Sequence, residues 1–109
     1  ADGAVTRHRG ARTTLGYRLH ETALPLTSVT LRTGQNAYVM TTDGMLTQIG
    51  EATGRVMGTR RFEEGLGDVG TNDPARLVRM AGRILKGWQG REERRDDVAV
   101  IAFRPNEVT

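Results

Sequence analysis

The stretch YVMTTDGMLT, residues 38–47, decides how this chain is read. Tyr38, Val39, Met40, Thr41 and Thr42 are aromatic, apolar or β-branched, the side chains that suit a pleated and packed strand. Val39 has apolar neighbours on both sides, Tyr38 and Met40, which is the pattern of a strand covered on both faces. The run passes without a break into Asp43 and Gly44. A carboxylate at the mouth of a strand, followed by a glycine that lets the chain turn away without a side chain, fits a tight turn or a ligand aimed into a cleft.

The surroundings supply the elements on which that carboxylate sits. SVTLRTGQNAYVMTT, residues 28–42, reads as two strands, 28–32 and 36–42, joined by a turn at Thr33, Gly34 and Gln35. Residues 59–66 form a candidate short helix with Thr59 as its N-cap. The clearest helix opens in NDPARLVRMAGRILKGWQG, residues 72–90. Asp73 caps it, Pro74 takes the first helical position, and Leu77, Met80, Ala81, Ile84, Leu85 and Trp88 recur at helical spacing. Gly87 or Gly90 ends it. DDVAVIAFRP, residues 96–105, holds a continuous apolar strand over 98–103, stopped by Pro105. At the other end, ADGAVTRHRG places the turn pair Asp2-Gly3 before a short strand-like piece. A hairpin turn needs a strand ahead of it, so the expectation is a sequence that starts inside a domain. There is no internal repeat and no low-complexity segment.

Composition excludes several classes. The hydrophobic fraction of 37% is that of a globular chain, and 109 residues suffice for one domain or a large part of one. No apolar run approaches the roughly 18–20 residues of a membrane span, and no basic stretch followed by an apolar one opens the chain. The absence of cysteine leaves no disulfide framework and no thiolate metal site, which fits a reducing compartment, so a cytoplasmic location is expected. The net charge of +3 sits in residues 1–20, where Arg7, Arg9, Arg12 and Arg18 face Asp2 alone. With only five aromatic residues, of which Tyr17 alone falls in that basic stretch, the stacking platform of a single-strand binder is missing and no nucleic-acid partner is expected.

Antiparallel pairing of the strand before Asp43 with the strand after Asp96 and Asp97 would bring all three acids to one edge of a sheet. Magnesium and manganese take oxygen ligands of this kind, often one or two carboxylates with water or phosphate completing the shell. Successive side chains alternate across a strand, so only one of Asp96 and Asp97 can face an ion while the other supports the turn. Spacing alone leaves the plainer reading open as well: an Asp-Gly turn, and an Asp-Asp pair in a solvated cluster with Arg91, Arg94 and Arg95.

The succession VTLRTGQNAYVMTTDGMLT, RRFEEGL, PARLVRMAGRIL and RRDDVAVIAFRP, spanning residues 29–105, resembles the C-terminal half of a bacterial 2C-like metal-dependent serine/threonine protein phosphatase. The subgroup is that of the stage II sporulation phosphatase E, with biofilm-regulating phosphatases among its members. DGAVTRHRGARTTLGY, residues 2–17, is similar to the hairpin that precedes this part in the family. The resemblance implies an α/β (α+β) fold, a partial αββα sandwich of antiparallel strands with flanking helices, with residues 1–109 as the C-terminal part of a single domain. It implies that Asp43 and Asp96 are ligands of one ion of a binuclear magnesium or manganese centre, with Asp97 at the second position of its motif and Gly44 as backbone beside the metal. In such enzymes a water or hydroxide held by the two ions attacks the phosphorus of phosphoserine or phosphothreonine.

The implied substrate is a phosphorylated regulatory protein of a partner-switching system, the implied location cytoplasmic, and any membrane anchoring lies in segments outside these 109 residues. The family's upstream aspartate, which bridges both ions, has no counterpart here. Two or three carboxylates cannot hold a binuclear centre, so the 109 residues alone are expected to be inactive. Strand and helix faces lacking their partners point to homodimerisation or strand exchange. The alternative is a non-catalytic interaction module or pseudophosphatase of the same fold.

Most other features read as structural. Trp88 is expected in core or rim packing, and Met40, Met45, Met57 and Met80 as gap fillers. Thr41 and Thr42 read as polar strand positions, His8 and His20 as exposed histidines, and none has the partners of a nucleophile. GEATGRVMGTRR, residues 50–61, reads as a flexible loop beside the cleft, from which Arg55, Arg60 or Arg61 can meet an anionic phosphoprotein.

Overall fold

Residues 4–8, 28–32 and 34–106 are described by the structure, a computed structural model. Along them run β1 (Tyr38–Thr41), α1 (Asp43–Thr47), α2 (Gly58–Val69), α3 (Pro74–Gln89) and β2 (Val100–Phe103). The mixed α/β architecture with an antiparallel pair of strands and flanking helices matches the expected class.

The two strands stand at opposite ends of this order and meet in space. Tyr38 pairs with Phe103, Val39 with Ala102, Met40 with Ile101 and Thr41 with Val100. The contact continues past both ends, where Thr42 N–H donates to the Ala99 carbonyl and Gly34 N–H to the Pro105 carbonyl, each at 3.1 Å. Side chains alternate, so the pair has two faces. Val39, Val100 and Ala102 lie on one of them and pack, with Ala37 and Val98, against a core of Met45, Met57, Phe62, Leu66, Leu77, Ala81 and Leu85. Two strands alone are marginal in water. Burial of each large core side chain, worth about 1.5–3 kcal/mol relative to exposure, is what holds them.

The other face is apolar and open, which corrects the expectation of a strand covered on both sides. Met40 and Ile101, directly opposite each other, are 61% and 60% exposed, so Met40 fills no gap. Beside them the rings of Tyr38 and Phe103 stack at 5.6 Å.

Helix α3 forms where its caps and period place it. The Asp73 carboxylate accepts from Ala75 N–H at 3.2 Å, and Pro74 opens the helix. Leu77, Ala81 and Leu85 are buried at intervals of four and face the core, between α2 and β2. Gly90, at φ 57°, ends the helix and donates its N–H to the Lys86 carbonyl, whereas Gly87 lies within the helix. Helix α2 starts at Gly58, ahead of Thr59, and its N-cap is Met57 with no side-chain cap. Thr59 is therefore not the cap. The helix runs on to Val69 because Phe62 and Leu66 bury one face, and Gly70 closes it in the left-handed conformation.

Two other expectations differ. Residues 28–32 form no strand. Arg32 N–H donates to the Tyr38 hydroxyl at 2.9 Å, so this backbone is tethered by a side chain and not by a ladder. Residues 43–47 are helical, so Asp43-Gly44 begins α1 and is not a tight turn. Residues 4–8 show no regular structure, and the turn read at Asp2-Gly3, with His20, Arg9, Arg12 and Arg18, lies outside the described residues. No helix among the described residues is long and apolar enough to cross a membrane.

Candidate functional site

The antiparallel register places the end of β1 beside the start of β2, so the segments carrying Asp43 and Asp96-Asp97 meet at one end of the sheet. Thr42 makes the junction. Its hydroxyl accepts from Ala99 N–H at 3.0 Å and donates to the Asp97 carbonyl at 3.3 Å. Asp43 follows as the first residue of α1, exposed, and its carbonyl accepts from the Thr47 hydroxyl at 3.0 Å.

Gly44 is fully covered because the chain of Asp97 lies directly on it. A Cβ at this position would stand 2.2 Å from the Asp97 carbonyl oxygen and 3.2 Å from Val98 Cγ2. No positive φ is involved, since Gly44 is not among the residues in that region. Its role is close backbone approach, not the turn expected from the sequence. The glycine thus fixes how near the Asp96-Asp97 segment comes to Asp43.

A second device acts on the same segment from its other side. Gln48, fully buried at the end of α1, donates from Nε2 to the Glu93 carbonyl at 2.8 Å and accepts at Oε1 from Arg95 N–H at 3.4 Å. One amide therefore holds the two residues that lead into Asp96. The backbone carbonyl of Gln48 accepts from Trp88 Nε1–H at 2.8 Å, tying this corner to α3. Trp88 packs against the core, as expected of a structural tryptophan. A lone glutamine between a helix and a loop gives no sequence signal; its role needs the two segments brought together.

The loop after α1, read from the sequence as flexible, carries backbone pairing of its own. Ile49 and Val56 form an antiparallel bridge, and Gly50 N–H donates to the Arg55 carbonyl at 2.9 Å. Gly50 allows the loop to lie on Trp88, since a Cβ there would meet the indole Cε2 at 2.7 Å and the Trp88 carbonyl oxygen at 2.8 Å. Of the three arginines expected to meet an anionic partner, Arg60 pairs with Glu64 at 3.0 Å and Arg61 stacks over the Trp88 ring at 4.4 Å. Arg55 remains exposed at the loop.

The acids by themselves do not make a metal site. Asp43, Asp96 and Asp97 are exposed, and Asp96 Oδ1 accepts from the N–H of Asp97 at 2.8 Å, which turns that oxygen back onto its own loop. Among the described residues no group of three or more His, Cys, Asp or Glu side chains could hold an ion. The donor set present does not fit a binuclear magnesium or manganese centre, which needs carboxylates beyond these three.

Among solved structures, the chain is similar to the SiaA-PP2C domain of Pseudomonas aeruginosa, with 31% sequence identity and a TM-score of 0.57. The likeness covers 62% of this chain and 28% of that one, so the matched part is less than a third of the neighbour's length. No protein-family model matches the sequence, and no curated protein matches it. With its antiparallel strand pair and flanking helices, the chain has a mixed α/β fold consistent with part of a PP2C-like phosphatase domain.

Proposed function

We propose that this chain is part of a metal-dependent protein phosphatase that removes phosphate from phosphoserine or phosphothreonine of a regulatory protein in a cytoplasmic partner-switching system. The observation that carries the reading is the meeting of Asp43 with the Asp96-Asp97 segment across the β1–β2 pair, in a chain similar to the SiaA-PP2C domain. In this reading Asp43 and one of the paired acids contribute to a magnesium or manganese site, and the remaining carboxylates come from outside the 109 residues. Gln48 and Gly44 then set the position of the Asp96-Asp97 segment against Asp43.

The test is hydrolysis of a phosphoserine peptide, with manganese present, by a phosphatase domain that includes this sequence, alongside Asp43→Asn and Asp96→Asn. Loss of activity and of manganese affinity in both variants, with unchanged circular dichroism, is the expected result. Equal turnover in all three proteins removes Asp43 and Asp96 from the chemistry. A domain that neither binds manganese nor turns over the peptide is an interaction module. The 109 residues alone are expected to show no hydrolysis.

A further inference from the structure

Away from the Asp43 corner, the surface formed by the end of α2 and the outer side of α3 has a different character. Helix α3 carries Arg76, Arg79, Arg83 and Lys86 and no acidic residue. These four follow one another at three- and four-residue steps, so they line one side of the helix over a rise of about 15 Å.

Three of these residues do more than project into solvent. Arg76, Arg79 and Arg83 line a pocket of about 250 Å³ together with Val69, the last residue of α2, and Met80. Val69 and Met80 are both half-buried and supply its apolar side. None of the ion pairs found among the described residues uses a basic residue of α3. Elsewhere on the surface Arg60 and Arg95 each have a glutamate within 4.0 Å. Helix α3 thus combines concentrated positive charge with a concave surface, and among the described residues its basic side chains form no ion pair.

Guanidinium groups present planar forks of donors that match phosphoryl oxygens two at a time, and arginine is preferred over lysine where such geometry is needed. Pockets for drug-sized ligands run from about 300 to 1,000 Å³. At about 250 Å³ this one is suited to a phosphoryl or diphosphoryl group with a small substituent, and not to a dinucleotide. We propose that the pocket of Arg76, Arg79 and Arg83 is a binding site for the phosphoryl group of a small soluble ligand, separate from the Asp43 corner. The apolar side formed by Val69 and Met80 receives the substituent. The site is independent of whether the domain is a phosphatase, because none of its residues belongs to that corner.

The test is calorimetric titration of the 109-residue chain with inorganic phosphate and with pyrophosphate, at ionic strength held constant with chloride. Saturable one-to-one binding is expected, tighter for pyrophosphate. Arg79→Gln and Arg83→Gln should each weaken it about tenfold, the loss of one charge-assisted contact. Arg79→Lys, which keeps the charge and removes the fork, should fall between native and Arg79→Gln, and Arg91→Gln, on the loop after α3, should bind as the native chain does. Absence of saturable binding to the native chain, or equal affinity in Arg79→Gln and Arg83→Gln, overturns the proposal. So does co-sedimentation with phosphatidylglycerol vesicles that pyrophosphate fails to compete, which would make α3 a basic surface helix without a phosphoryl pocket.

Discussion

Replacing Gly44 by alanine sets two physical effects against each other, and the structure says which one wins. In a helix interior, alanine is favoured over glycine by about 1 kcal/mol, so Gly44→Ala would stabilise α1 if local propensity decided the outcome. Against this, the new Cβ would lie 2.2 Å from the Asp97 carbonyl oxygen, while carbon–oxygen contacts settle at about 3.3 Å or more. The overlap of roughly 1 Å falls on backbone and not on the end of a flexible side chain.

Relief requires the Asp97 segment to withdraw, which strains or breaks the 3.3 Å bond from the Thr42 hydroxyl to the Asp97 carbonyl. Overpacking of this kind costs about 1–3 kcal/mol, and the weakened hydrogen bond about 0.5–1.5 kcal/mol more. After subtracting the propensity gain, a net loss of about 2 kcal/mol is expected. For a domain of this size that lowers the thermal midpoint by about 8–16 °C. Urea unfolding followed by circular dichroism, with the slope checked for constancy, measures it. A Gly44→Ala chain as stable as the native one, or more so, would refute the close approach and with it the account of how Asp97 is held near Asp43.

Three further outcomes follow from particular contacts. Gln48→Leu removes the amide that serves Glu93 and Arg95 from a fully buried site, with an expected loss of about 2–3 kcal/mol and faster hydrogen exchange at Arg95 N–H. Met45→Ala leaves a cavity at a residue with no accessible surface and should cost about 2–5 kcal/mol in urea unfolding. Asp73→Ala deletes the cap on Ala75 N–H and should cost about 1 kcal/mol, while Asp73→Ser keeps most of it, as thermal melts of the two variants would show.

The parts of this fold that were legible from the sequence are those whose causes lie within one or two turns of chain. Asp73 and Pro74 are adjacent to the helix they start, and the four-residue recurrence of Leu77, Ala81 and Leu85 is a property of that helix alone. The same holds for the apolar run at 98–103 and for the strand that ends at Thr41. From antiparallel pairing alone, the acids of the two segments could be expected at one end of the sheet, and they are. Residues 28–32 misled for the corresponding reason: Val29 and Leu31 have strand-forming character, but a strand needs a neighbouring backbone, and the described one meets a tyrosine hydroxyl instead.

What the tertiary structure alone decided rests on contacts between residues remote in the chain. Gly44 reads locally as a turn glycine, yet it is there because Asp97 passes 2.2 Å from where a Cβ would be. Gln48 has no local signature and becomes a fastening only when 93–95 comes to it. Val39 and Met40 look alike in sequence, but one packs on the core and the other stands open beside Ile101, because the helices cover one face of the pair. The arginines of α3 become a pocket only because Val69 ends α2 against them. Caps and periodicity act through nearest neighbours and are written in order along the chain, whereas close approach, burial and the grouping of charge depend on which surfaces meet, and that is settled by packing.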